Sequence, residues 1–269
     1  MTNLADLFPA EDFRFHLTLR RGDLAAFFAP TPQHDRLTRE RVRWLEEAPA
    51  RHAALTTGAE PLLAEFARLA GLPPGVTVTA AGAALEPDFL LLAPDAAGLF
   101  RLRAGALCFP TMWALEDKLG HTLEEIHEGV PGLNPALGGP LNQFLARLKP
   151  GPAYLRANWG LAATPELNLH PALKRPRLAL PLDPTRVWLR VEHQALAALP
   201  ETGGVVFGLR IALVPLADVL ADAAVRTSFH RALRTMPEAL VAYKGLAPVR
   251  AALLALPEQT VVAGPGEAS

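Results

Sequence analysis

The sequence is short of the residues that most directly mark reactive or cross-linked chemistry. One cysteine, Cys108, stands in 269 residues, which excludes an internal disulfide and any cysteine-cluster metal centre and fits a reducing compartment. It lies in Leu-Cys-Phe-Pro, an apolar setting that favours an inert core thiol. Serine occurs only at Ser228 and Ser269, and neither has the context of a nucleophile elbow. An excess of charge of either sign is lacking too: 26 basic residues face 27 acidic ones, so binding of nucleic acid through an overall basic field is not expected. Long apolar runs are absent. The most apolar long window, Gly203 to Leu220, is broken by Arg210, Pro215 and Asp218, and the N-terminus carries Asp6, Glu11 and Asp12 where a leader needs a basic start. The expectation is a soluble, cytoplasmic protein with neither a membrane nor a nucleic-acid partner. Dinucleotide and phosphate loops and the His-Glu-x-x-His metal motif are missing as well.

Half of the residues are hydrophobic, enough for one large core with helical additions. The first third predicts helices, over Leu37–Leu55 and Leu62–Leu69, closed by Gly71, Pro73 and Pro74. The period then changes. Asp88–Ala93 and Leu99–Leu107 read as strands around a Pro-Asp-Ala-Ala-Gly turn. A helical stretch runs from Met112 to about Glu128, interrupted at Gly120, and its second half opens on a capping box, Thr122 with Glu125. His127 falls in the last turn of that short helix. A helix over Leu137–Leu148 follows. Ala153–Leu161, Arg186–His193 and Gly204–Leu213 alternate as three strands. The rest is helical, with a second capping box at Thr235 and Glu238, and the tail from Gly264 is small and polar. Two strands, a helical block and three antiparallel strands is the order of a PAS-type core, in which a ligand can sit between helices and sheet. The expected fold is therefore α+β: a PAS-like five-stranded antiparallel sheet with helical N- and C-terminal extensions. The whole chain is taken as one domain, with extension 1–85, core 86–213, C-terminal helices 214–263 and tail 264–269.

The eight histidines, His16 among them, are dispersed without metal-ligand spacing. By spacing alone His127 reads as a surface or helix-ending residue whose charge would favour the helix dipole. Arg156, Arg190 and Arg210 fall one per strand among apolar or aromatic neighbours. With Asn158, Trp188 and Glu192 they line either one buried surface that wants anionic partners or the wet outer face of a sheet.

Phe109-Pro110-Thr111-Met112-Trp113, Asp117-Lys118-Leu119-Gly120, Ile126-His127, Arg156-Ala157-Asn158-Trp159, Leu189-Arg190-Val191-Glu192 with Gln194, Phe207 with Arg210, and Tyr243-Lys244-Gly245-Leu246 together resemble the bacterial haem-dependent oxidative N-demethylases, whose haem subunit is PAS-like. The resemblance implies oxidative removal of a methyl group from a small, dimethylamine-like amine by dioxygen, releasing formaldehyde. It implies haem b, electrons from a separate flavin and iron–sulfur reductase, and a tetrahydrofolate-binding partner for the formaldehyde. His127 is then the proximal iron ligand, with His121 as fallback. Arg156 and Arg210, backed by Lys118 and Lys244, are candidates for the haem propionates, and Asn158 and Trp113 join them beside the cofactor. Glu192 is the candidate carboxylate for the protonated amine, with Arg190 keeping it ionised and Trp188 offering an aromatic face. The alternatives are a haem-based gas or redox sensor, a haem-binding protein without turnover, and a small-molecule binding domain without metal.

Overall fold

The computed structural model describes residues 4–14 and 18–256; His16 and the 264–269 tail lie outside them. Seven strands form one antiparallel sheet: β1 (Arg20–Gly22), β2 (Ala53–Leu55), β3 (Asp88–Pro94), β4 (Phe100–Ala106), β5 (Ala153–Ala162), β6 (Trp188–Leu199) and β7 (Gly204–Pro215), in the order β1-β5-β6-β7-β3-β4-β2. The five strands anticipated from alternation are its continuous centre. The expectation of five strands is corrected by β1 and β2, three-residue edges inside the region taken as a purely helical extension; they pair with Ala153–Leu155 and Ala104–Ala106. Pairing with a neighbour makes them strands, since three residues carry no period of their own.

Alternation assigns each side chain to a face, and the register joins the faces across strands. On one face Trp159, Leu189 and Val191 pack under C-terminal helices through Leu216, Val219 and Phe229. Further along the same face Phe89, Leu91, Ala104 and Val206 meet the helices Leu24–Phe28, Glu60–Leu69 and Val78–Ala84. The opposite face carries Leu90, Leu92, Leu102, Leu196 and Leu209 against Leu115, Leu123, Ile126 and Leu145 of the segment between β4 and β5. The sheet is thus a middle layer covered on both sides.

That covering segment is less helical than its sequence suggests. Residues 112–121 are turns, and the helix is Leu123–His127. One turn, with Lys118 N and Leu119 N donating to Leu115 O (3.0 Å each), is cut short where Leu102 of β4 exchanges backbone bonds with Gly120 (2.7 Å) and His121 (3.0 Å). The Thr122–Glu125 capping box is present, with Glu125 N donating to Thr122 Oγ1 (3.2 Å) and Thr122 N donating to Glu125 Oε2 (2.6 Å). The second box is absent. Thr235 closes the helix Ala223–Thr235 and Pro237 precedes Glu238–Tyr243, while Thr235 Oγ1 donates instead to Arg231 O at 2.9 Å. The helix expected over Leu137–Leu148 is a π turn, Asn134–Gly138, followed by Gly139–Ala146. No helix among the described residues is long and apolar enough to cross a membrane.

Candidate functional site

Where the covering segment meets the centre of β5 and β6, the covered face turns polar. Arg156 pairs with Gln194 and Asn158 with Glu192 across the two strands, so four polar side chains share one patch. None is fully exposed, and Gln194 is buried. Arg190 lies two residues from Glu192 on the same face and is 1% exposed.

Arg190 is fastened almost entirely to backbone. Its Nη2 donates to the carbonyls of Phe109 (2.8 Å), Leu167 (2.8 Å) and Pro110 (3.3 Å), and its Nε donates to Thr111 Oγ1 at 2.8 Å. Nη1 is buried without a hydrogen-bond partner. Thr111 Oγ1 in turn donates to Glu192 Oε1 at 2.5 Å, and Gln194 Nε2 donates to Glu192 Oε2 at 3.2 Å. Arg190 and Glu192 therefore meet through a hydroxyl. Burial pushes the Arg190 guanidinium down to about 10, opposed by the charges of Glu192 and Asp88.

The segment that reaches over this patch is clamped from the far side. Asp88 accepts from Cys108 N (2.6 Å), Phe109 N (3.0 Å) and Arg41 Nη1 (2.5 Å), all buried. Met112, next to Thr111, has a φ of 62°, a conformation non-glycine residues seldom adopt and one found at functional sites. Cys108 is buried, its thiol pushed up to about 12 by desolvation, as an inert core thiol should be.

His127 ends the capped helix, half-buried. Burial first, then the charges of Lys118 and Arg156, lower its basicity, while a bond to the Leu123 carbonyl opposes them. Burial and two nearby cations thus act together against the charged form of this imidazole. Lys118 Nζ donates to the Ile126 carbonyl at 3.2 Å, holding a cation at the helix end.

Arg156 makes no hydrogen bond or ion pair among the described residues, and its basicity is lowered by burial and raised only by Glu192. Lys244 Nζ donates to the Trp159 carbonyl at 2.7 Å and lies 5.4 Å from the Trp159 ring centre. Burial holds it down to about 8, Glu192 opposing and Arg156 adding. Tyr243 is 54% exposed, and its phenol is raised by burial and by the Glu192 charge.

The register separates some of the residues that the sequence groups together. Arg210 cannot share a surface with Arg156, because it sits opposite His193 in the register and so on the other face. There it donates to the carbonyls of Phe27 (2.8 Å) and Ala29 (2.6 Å) and pairs with Glu86. Trp188 shares the face of Glu192 but begins β6, four residues or about 13 Å away along the strand. Trp113 packs at the edge of the apolar cluster beneath the sheet, and His121 is exposed. Thr111 was part of a recognisable block, yet no signal in the sequence marks its hydroxyl as the link between Arg190 and Glu192.

A haem needs an imidazole with a free lone pair and cations for two carboxylates. The half-buried His127 ring, whose charged form burial disfavours, the Arg156 guanidinium with no partner among the described residues and the orphaned Arg190 Nη1 suit that donor set. No group of three or more histidine, cysteine or carboxylate side chains forms a metal cage among the described residues, and a haem requires none. Cavities of about 370 Å³, lined by Leu62, Arg103 and Thr202, and about 120 Å³, lined by Trp44, His52 and His170, lie apart from these residues.

Residues 56–254 match the family described as haem-dependent oxidative N-demethylase, alpha subunit-like. The matched span runs from the end of β2 through the last described helix and contains every residue of the polar patch and its cations. The chain belongs to this haem-dependent oxidative N-demethylase alpha-subunit-like family.

Proposed function

We propose that the chain is the haem b-bearing component of an oxygenase that demethylates a small amine, with His127 as the iron ligand. The observation that carries this is a half-buried histidine at the end of a capped turn, its charged form disfavoured by burial and by the cations Lys118 and Arg156, and Arg156 makes no hydrogen bond or ion pair among the described residues. The strand order β4-β3-β7-β6-β5 within the sheet supports a PAS-like core, and the whole chain acting as one haem-binding unit in the cytoplasm belongs to the same reading. Bound haem would supply the activation of dioxygen. Overall, amine N–CH₃, dioxygen, two electrons and two protons give amine N–H, formaldehyde and water. The electrons come from a separate flavin and iron–sulfur reductase, and a tetrahydrofolate-binding partner takes up the formaldehyde.

The chain's own residues bind, orient and hold charge. Arg156, Lys118 and Lys244 are cations for the propionates, with Asn158 beside them; Arg210 is withdrawn from that role. Glu192, held at both oxygens by neutral donors, keeps lone pairs free for an ammonium ion, and its charge attracts that cation from water. Glu192 also accepts the ammonium proton, which frees the nitrogen lone pair.

Absorption spectroscopy of the purified protein tests this. The wild type is expected to show a Soret band at one haem per chain, and His127→Ala to lose the haem or shift the band. Stoichiometric haem with an unchanged spectrum in His127→Ala overturns the assignment. Formaldehyde release on adding reductant, dioxygen and dimethylamine separates turnover from haem binding alone.

A further inference from the structure

We infer that Thr111 is the positioning residue of this site: a one-hydroxyl spacer that lets Arg190 support the Glu192 carboxylate without occupying it. The inference rests on the proposal that Glu192 receives the amine. Its own content is the geometry of three side chains.

The direction of the two bonds is forced. A guanidinium only donates and an ionised carboxylate only accepts. Thr111 Oγ1 stands 2.8 Å from Arg190 Nε and 2.5 Å from Glu192 Oε1, so it must accept from the first and give its own proton to the second. The chain Arg190 → Thr111 → Glu192 has one polarity, and each bond strengthens the other. A fully buried arginine two residues along the same face from a glutamate would ordinarily close on it as a bidentate pair, and that pair would use the lone pairs an ammonium ion needs. Here the guanidinium is turned aside, because the carbonyls of Phe109, Pro110 and Leu167 take its Nη2 and the hydroxyl takes its Nε. Glu192 keeps one neutral donor on each oxygen, Thr111 and Gln194, and the second lone pair of each stays available.

The backbone places that hydroxyl as firmly as it places the arginine. Thr111 bridges to Leu169, Leu169 N donates to Pro110 O at 3.1 Å, and Asp88 holds the amides of Cys108 and Phe109. The positive φ of Met112 turns the chain immediately after Thr111. Three backbone hydrogen bonds, from Leu169, Cys108 and Phe109, thus fix the segment that carries this one side-chain oxygen.

The test is a double-mutant cycle on the holoprotein, with dimethylammonium chloride as the probe and isothermal titration calorimetry as the readout. Thr111→Val keeps the shape and removes the hydroxyl; Thr111→Ser keeps the hydroxyl. The expected result is a loss of dimethylammonium affinity of about 10- to 100-fold in Thr111→Val, the range of one hydrogen bond to a charged group. Thr111→Ser stays within about 3-fold of wild type, and in a Glu192→Gln background Thr111→Val costs nothing further. Equal losses in the Val and Ser variants, or an undiminished loss in the Glu192→Gln background, overturn the inference. If Glu192→Gln leaves affinity unchanged, the amine assignment falls, and the spacer is judged by the same cycle on urea unfolding. Coupling between positions 111 and 192 there upholds it, and additivity overturns it. Should Thr111→Val fail to fold, Thr111→Ala carries the same comparison.

Discussion

Asp88→Asn is a direct test of the clamp behind the site. Asp88 and its partner Arg41 are 1% and 0% exposed, and the carboxylate accepts one guanidinium and two backbone amides. Asparagine has the same shape but one acceptor oxygen, so its NH₂ must face one of these three donors. One bond becomes a donor–donor contact, and the Arg41 charge loses its only anionic partner among the described residues while remaining buried. Removing one member of a buried pair costs about 3–5 kcal/mol. In a chain of this size each kcal/mol lowers Tm by about 2–4 °C, so a fall of about 6–20 °C is expected. Urea unfolding of wild type, Asp88→Asn, Arg41→Met and the double variant measures it. Arg41→Met alone also gives up the bond to the Gly82 carbonyl (2.6 Å) and leaves Asp88 its two amides. The double variant contains no stranded charge and should therefore be more stable than the sum of the singles by about 1 kcal/mol or more. A loss below about 1 kcal/mol in Asp88→Asn, or strict additivity, refutes the reasoning.

Two further outcomes follow from packing and charge. A Cβ at Gly208 would lie 2.7 Å from Phe27 Cε1 and 3.0 Å from Phe28 Cζ, so Gly208→Ala should destabilise by about 1–3 kcal/mol while leaving the site face untouched; a denaturation midpoint equal to wild type would contradict this. Lys244 is held down to about 8 and regains its ordinary basicity, about 10.4, on unfolding. The unfolded chain therefore binds more protons between those values, so this group makes stability rise with pH across that window and penalises folding below it. Lys244→Met should flatten the slope in urea titrations across the window, and an unchanged slope refutes the burial argument.

Much of the fold is legible in the sequence because five strands carry a clear period of two. What escapes it has identifiable causes. The second half of β6, Gln194 to Leu199, is Gln-Ala-Leu-Ala-Ala-Leu, residues that favour helix in isolation. A continuous ladder with Gly204–Leu209 of β7 makes them strand, as tertiary pairing outweighs a propensity of a few tenths of a kcal/mol per residue. Residues 112–121 contain helix formers, yet their backbone bonds are short local turns ending in two bonds that Gly120 and His121 exchange with Leu102 of β4. Arg210 shows the limit of alternation most plainly. Its period correctly separates it from Ile211, but a period ranks faces within one strand only. The register that sets Arg210 opposite His193 and Ile211 opposite Glu192 decides which faces coincide, and no single-strand pattern contains it.

The candidate site is legible to the same degree and for the same reason. Charged residues amid apolar strands announce that something polar is buried, so Arg156, Arg190 and Glu192 could be named in advance, whereas Lys244, at the end of the helix Glu238–Tyr243, is reached only through the family resemblance. How they are partnered depends on a turn whose backbone follows from Asp88, Arg190 and the neighbouring strand. The charge balance then gives the patch its direction. Arg156, Arg190 and Lys244 all have their basicity lowered chiefly by burial, and Glu192 opposes this at each of them, joined by Asp88 only at Arg190. Desolvated cations in that excess are relieved by an anion, not by more apolar packing. A dicarboxylate cofactor entering beside His127 would restore what burial takes from Arg156 and Lys244. It would also leave Glu192, braced by Thr111 and Gln194, as the carboxylate still free to receive a cation.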